Sequence, residues 1–234
     1  MLTVIFDLDG TLVDTAPDLI DTLNLVLARE GLPNMPYDDA RRMIGGGAKG
    51  LIEKALAAEG RDDLKADLDR MYHAFIAHYA DHIADRSRPF PALKSALDDL
   101  VGEKMRLAVC TNKLEWLSVR LLETLGLAGY FSAICGQDTF GVQKPDPEIL
   151  RRTILRAGGE VSRAIMVGDS GTDIRAARAA NLPVIAVAFG YSEVPIATLE
   201  PDHLISSFAD LRSAIRAFEA GLVPQKAGGP RSSD

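Results

Sequence analysis

Leu2-Thr3-Val4-Ile5-Phe6-Asp7-Leu8-Asp9-Gly10-Thr11 begins as a short apolar run and ends in two carboxylates, two residues apart, followed by a glycine. A run this apolar, rich in β-branched residues, reads as a strand buried on both faces, the pattern of a parallel sheet. If the backbone stays extended, Asp7 and Asp9 project to the same side, because strand side chains alternate with period two. Gly10 then permits a sharp departure. Two carboxylates this close repel each other unless a cation or a shared proton offsets the repulsion. The alternative for this pair alone is an ordinary Asp-rich turn.

Outward from this stretch, similar runs recur at residues 105–110, 131–135, 164–167 and 184–188, with helical patterns between most of them. That alternation predicts an α/β fold built on a parallel sheet. The gap between the first and second runs is too long for one crossover. Leu19, Leu23, Val26 and Leu27 mark an amphipathic helix there, and residues 48–59 and 62–83 suggest two more. Thr15-Ala16-Pro17-Asp18 has a capping-box pattern with proline near the first helical position. The reading is a core over residues 1–15 and 87–220 with a small all-helical domain, residues 16–86, inserted after the first strand. Hinges are expected near residues 14–16 and 87–89. Residues 221–234, with Gly, Pro and Ser and no periodicity, are expected to be disordered.

Composition narrows the function classes. The 234 residues carry 26 Lys and Arg against 33 Asp and Glu, a net charge of −7, which argues against nucleic acid as the partner. With 47% hydrophobic and 25% charged residues the chain can build a packed core. Two cysteines in apolar contexts fit a reducing compartment without disulfides. The start lacks a basic n-region, and the longest apolar stretch, around residues 183–189, is far short of the roughly 18 residues a span needs. A cytoplasmic protein without membrane contact is expected, as a monomer or a homodimer.

A second acidic cluster strengthens the first. The run at 164–167 leads into Gly168-Asp169-Ser170-Gly171-Thr172-Asp173 and then a helix. Ligands of open parallel sheets bind at the carboxyl ends of the strands, so two strands ending in carboxylates aim anionic groups into one crevice. Hard oxygen ligands with room for water and a phosphate oxygen suit Mg²⁺ better than zinc. Asp169 as a helix cap and Asp173 as a partner of the helix dipole remain compatible with this. At two other run ends, Thr111-Asn112 precedes a helix and offers an anion cup, or an ordinary cap. Lys144, in Gln143-Lys144-Pro145-Asp146-Pro147, stands in a proline-stiffened loop, or is solvated.

These four motifs, in this order, resemble the haloacid dehalogenase (HAD) superfamily over roughly residues 1–220. The resemblance implies a Rossmann-like core with a helical cap inserted after the first strand. It implies Asp7 as nucleophile and Asp9 as general acid/base. Thr111, Asn112 and Lys144 would bind phosphate. Mg²⁺ would be held by Asp7, the Asp9 backbone carbonyl and Asp169, with Asp173 supporting from outside. The activity implied is Mg²⁺-dependent hydrolysis of a small phosphate monoester through an aspartyl-phosphate. Related chemistries are a phosphomutase of the β-phosphoglucomutase type and a pyrophosphatase or nucleotidase. From another class, a receiver-like domain would also take up phosphate on Asp, but the helical insertion and Asp9 argue against it.

Within the superfamily, Asp14-Thr15-Ala16-Pro17-Asp18, Ile44-Gly45-Gly46-Gly47, and Phe189-Gly190-Tyr191 with Pro201-Asp202-His203 resemble the phosphoglycolate phosphatases. The substrate this implies is a small phosphorylated metabolite, 2-phosphoglycolate. Thr11, where the mutases often carry Val, leans toward hydrolysis. Ala92 and Asn181 depart from the glycines usual in that subfamily. For the substrate carboxylate the candidates are the amides of Gly46 and Gly47 with Lys49, or with Arg42. The glycines could equally serve only to break one helix from the next.

Overall fold

The computed structural model describes residues 1–221; most of the tail expected to be disordered, 222–234, lies outside them. Strands β1 (Thr3–Phe6), β4 (Arg106–Cys110), β5 (Ala133–Cys135), β6 (Ala164–Gly168), β7 (Val184–Val187) and β8 (His203–Ile205) form one parallel sheet in the order β5-β4-β1-β6-β7-β8. The first strand is central because Val4, Ile5 and Phe6 are apolar on both faces and wholly buried. The chain winds outward from β1 in one direction and then in the other, so the switch in strand order falls at β1. The register pairs Phe6 with Val109 on one side and Val167 on the other, which brings the strand ends level.

Helices α1 (Ala16–Arg29), α2 (Tyr37–Met43), α3 (Gly47–Ala58) and α4 (Leu68–Asp81) follow β1 with no further strand of the six-stranded sheet between them. Their apolar faces, among them Leu19, Leu23, Leu51, Leu56, Phe75 and Tyr79, share a buried cluster with Phe6, Leu8 and Leu12. Burying such a side chain contributes about 1.5–3 kcal/mol. A two-stranded ribbon, β2 (Val13–Asp14) against β3 (Arg88–Pro89), closes the base of this helical stretch. Two-residue strands carry no readable period, so the sequence pattern does not show them. Helix α2 and strand β8 were also not anticipated, and the helix expected over 62–83 begins as a 3₁₀ turn, Asp62–Asp67.

The capping box expected at Thr15 does not form; that residue makes no side-chain cap. Its hydroxyl donates instead to Asp9 Oδ1 at 2.7 Å. Buried Asp18 accepts from the amides of Arg86 and Ser87 and from the Ser87 hydroxyl at 2.6 Å. The same residues thus tie the outgoing chain to the returning one. Beyond the ribbon run α5 (Leu93–Gly102), α6 (Glu115–Thr124), α7 (Pro147–Arg156), α8 (Gly171–Ala180) and α9 (Leu211–Glu219). Among the described residues no helix is long and apolar enough to cross a membrane.

Both substituted glycine positions adopt left-handed backbone, Asn181 at φ 59° and Ala92 at φ 62°. Asn tolerates this at a helix C-terminus, whereas an alanine Cβ is strained there by about 1–2 kcal/mol. Glycine relieves the strain but gains unfolded-state entropy. Ala92→Gly is therefore expected to raise Tm by about 1–3 °C for a chain of this size, and an unchanged or lowered melt would refute the strain argument.

Candidate active site

Continuation of the ladder past the strand ends sets the site. The Asp7 amide donates to Val167 O, and the Thr111 amide to Cys135 O, so the side chains that follow β1, β4 and β6 share one edge. The Asp7 Oδ1 accepts from the Leu8 amide at 2.7 Å and lies 2.9 Å from Lys144 Nζ. Lys144 Nζ also donates to Asp173 Oδ1 at 2.6 Å. Asp169 is held from both sides, by the Thr11 hydroxyl at 2.8 Å and the Tyr191 amide at 2.7 Å. The backbone must pass close for this: a Cβ on Gly190 would lie 2.1 Å from Asp169 Cβ, and one on Gly10 2.5 Å from Asp169 Oδ2.

Carboxylate oxygens of Asp7, Asp169 and Asp173 gather within 4.8 Å of one another, all three residues buried. Asp173, expected outside the acidic group, thus stands inside it. Ser170 caps α8 and donates through its amide and hydroxyl to Asp173 Oδ2, which turns Asp173 Oδ1 toward Lys144. Three carboxylates facing one ammonium leave excess negative charge. Burial, with Asp173 and Asp169 adding to it, pushes the Asp7 carboxyl up to about 8 against the pull of Lys144. Burial and Asp173 push Asp169 up to about 7. For Lys144, burial alone would lower the pKa, but Asp173 and Asp7 outweigh it and hold the ammonium above the usual lysine range. An all-oxygen, carboxylate-rich donor set fits a hard divalent cation such as Mg²⁺.

A consequence for stability follows. Both carboxyls bind protons more tightly folded than at the ordinary value of 3.8. Between about pH 4 and pH 8 the folded chain therefore holds more protons than the unfolded, and stability falls as pH rises through that window. Metal-free protein is expected to show a Tm that declines from about pH 5 to pH 8. Added Mg²⁺ should raise Tm more at pH 8 than at pH 5, because the competing protons have left. An equal Mg²⁺ effect at both pH values would exclude this cluster as its site.

Asp9 lies apart from that group. Its carboxylate accepts from Thr15 Oγ1 and, with both oxygens, from Lys113 Nζ at 2.7 and 3.0 Å. Lys113 is 8% exposed; in the sequence a lysine next to Thr111-Asn112 is indistinguishable from a solvated one, so no local signal marks it. The Asn112 side chain is committed to the backbone: it brackets the Lys144 peptide, accepting from its amide at 2.9 Å and donating to its carbonyl at 3.1 Å, and donates also to Gly45 O. The side chain therefore positions the Lys144 loop. Thr111 Oγ1 accepts from the Lys113 amide at 3.2 Å, leaving its O–H free to donate. The Leu8 amide is spent on Asp7.

A cavity of about 40 Å³, room for a few waters, lies between the strand ends and the helical stretch. Asp7, Asp9, Thr111, Asn112 and Lys113 line it from one side, and Ile44, Gly45, Gly47, Phe75 and Tyr79 from the other. Gly47 is needed there, since a Cβ at its φ of 77° would sit 2.9 Å from Asn112 O. Gly46 and Lys49 do not line it. Helix α3 turns Lys49 outward to an exposed pair with Asp69 at 2.7 Å, and Arg42 pairs with Asp39 at the surface. The carboxylate contact expected of Lys49 and Arg42 therefore has no support at this cavity.

Comparison with known proteins agrees with this arrangement. Residues 4–187 match the haloacid dehalogenase-like hydrolase family. A phosphoglycolate phosphatase of Agrobacterium fabrum is 50% identical over 211 residues, covering 90% of this chain and 91% of its own. One from Mesorhizobium japonicum is 48% identical over 205 residues, covering 88% and 90%. A crystal structure of a predicted phosphoglycolate phosphatase from Haemophilus somnus superposes with a TM-score of 0.85 at 29% identity, over 92% of this chain and 98% of that one. The family match runs from β1 through β7 and takes in every acidic strand end, and on it the chain belongs to the haloacid dehalogenase-like hydrolases.

Proposed function

We propose that this hydrolase is a Mg²⁺-dependent phosphatase that cleaves 2-phosphoglycolate through an aspartyl-phosphate on Asp7. The observation that carries the reading is the convergence of Asp7, Lys144, Asp169 and Asp173, with Asp7 and Asp9 together lining one small cavity. The names of the relatives support the substrate.

In the first displacement an Asp7 oxygen attacks phosphorus, the P–O bond to the leaving group breaks, and Asp9 protonates the departing alkoxide. In the second a water attacks the same phosphorus, Asp9 takes its proton, and Asp7 leaves as carboxylate. Asp9 is aimed for both by Thr15 and Lys113. Lys144 and the Thr111 hydroxyl hold phosphate oxygens while charge develops. Asp7, the Asp9 carbonyl and Asp169, with Asp173 beside them, would hold Mg²⁺, which would supply the positive charge that lets one anion approach another. Residues 16–86 act as a cap over the core, 1–15 and 87–220, hinged at the β2–β3 ribbon, and closure excludes water. Two free buried cysteines support a reducing, cytoplasmic setting.

A phosphate-release screen across small phosphorylated metabolites, with Mg²⁺ and with chelator, tests the reading. The expected result is highest kcat/KM on 2-phosphoglycolate, lost on chelation. Lasting phosphorylation without release, or inactivity on every ester, would overturn it.

A further inference from the structure

The helical side of the cavity holds a polar atom that the mechanism does not use. Tyr79, on α4, is 1% exposed, and its hydroxyl makes no hydrogen bond. A buried hydroxyl without a partner is costly, which raises the question of what satisfies it. Its ring lies under the Lys113 ammonium, 4.5 Å from Nζ to the centroid. Lys113 is the sole Lys or Arg among the residues lining the cavity. Two of its hydrogen bonds go to Asp9, and an ammonium has three donors, so the third N–H, on the Tyr79 side, is not spent on a carboxylate. Around this pair the lining is largely apolar: Leu19, Leu51, Phe75, Ile76, Leu114 and Leu117. An ammonium donor and a phenol donor side by side in an apolar wall match a small anion.

We propose that Lys113 and Tyr79 form the subsite that reads the carboxylate of the substrate's leaving group. The inference rests on the phosphatase reading for the identity of the ligand. In 2-phosphoglycolate one methylene separates the ester oxygen, which Asp9 would protonate, from the carboxyl carbon. A cation already in contact with Asp9 is therefore within range of that carboxylate. The subsite would let a chain that is acidic overall accept a second anion. It also places selection on α4 and the β4–α6 turn, not on the exposed Lys49 of α3.

The test compares 2-phosphoglycolate with 2-hydroxyethyl phosphate, in which an alcohol replaces the carboxylate, in the parent, Tyr79→Phe and Lys113→Gln. The ratio of their kcat/KM values is expected to fall about tenfold in Tyr79→Phe, through KM, and at least tenfold in Lys113→Gln, as expected for a lost hydrogen bond to a charged group. Both esters slowed by one factor would show that the two residues only support Asp9 and the core, and would overturn the proposal. A binding arm separates this from the phosphatase reading: calorimetric titration with 3-phosphonopropionate and with propylphosphonate, in Mg²⁺. Tighter binding of the carboxylate compound, eroded in both variants, supports the subsite even if no ester is hydrolysed. Equal affinity in the parent overturns the subsite even if phosphatase activity is found.

Discussion

Asp7→Asn is expected to retain less than about 10⁻⁴ of the parental kcat while melting as a folded protein. The amide carries no negative charge with which to attack phosphorus, so the covalent route closes. The fold survives because Asn keeps an Oδ1 acceptor for the Leu8 amide and the Lys144 ammonium. Removing one of three crowded buried carboxylates also relieves repulsion, so at pH 8 and without metal the variant should melt above the parent. Two measurements decide it: phosphate release, and a thermal melt by circular dichroism. Residual turnover above a few per cent would take the nucleophile role from Asp7. A collapsed melt would instead show that its charge is needed to fold.

Lys144→Met should be worse for stability and nearly as severe for turnover. Lys144 is 2% exposed and lies between Asp7 and Asp173. Removing it leaves three buried carboxylates without their counter-charge. Breaking a buried pair from one side costs about 3–5 kcal/mol, here a fall in metal-free Tm on the order of 10 °C. Mg²⁺ should recover part of that fall. Turnover should drop at least about 10³-fold, since an oxyanion-type donor alone is worth 10²–10³. Lys144→Arg is not expected to rescue it, because a planar guanidinium fork does not fit where a compact ammonium contacts two carboxylates. A Met variant that melts like the parent would mean the three carboxylates are not charged together.

The residues most legible in the sequence were those whose role depends on near neighbours. Asp7 and Asp9 follow a strand, and Asp169 follows another; period-two alternation and the rule for strand ends suffice to aim them. Gly10 is readable because it stands at the turn itself. Where a residue's partner lies far along the chain, the reading failed or was displaced. The Thr15 and Asp18 pattern was read as a cap, yet Thr15 serves Asp9 and Asp18 holds Arg86 and Ser87. The Asn112 side chain braces Lys144, a partner 32 residues away. Lys49 was read as substrate-facing, yet its helix turns it to solvent.

By itself, then, the sequence determined the parallel α/β core, the helical stretch after β1 and the acidic strand ends, because these rest on periodicity and short-range geometry. Only the tertiary structure decided that Asp173 joins Asp7 and Asp169 around Lys144, and that Lys113 and Tyr79 meet beside Asp9. Those pairings are made by segments from 29 to 166 residues apart, and contact across such separations is set by how helices pack on the sheet, which no local pattern encodes.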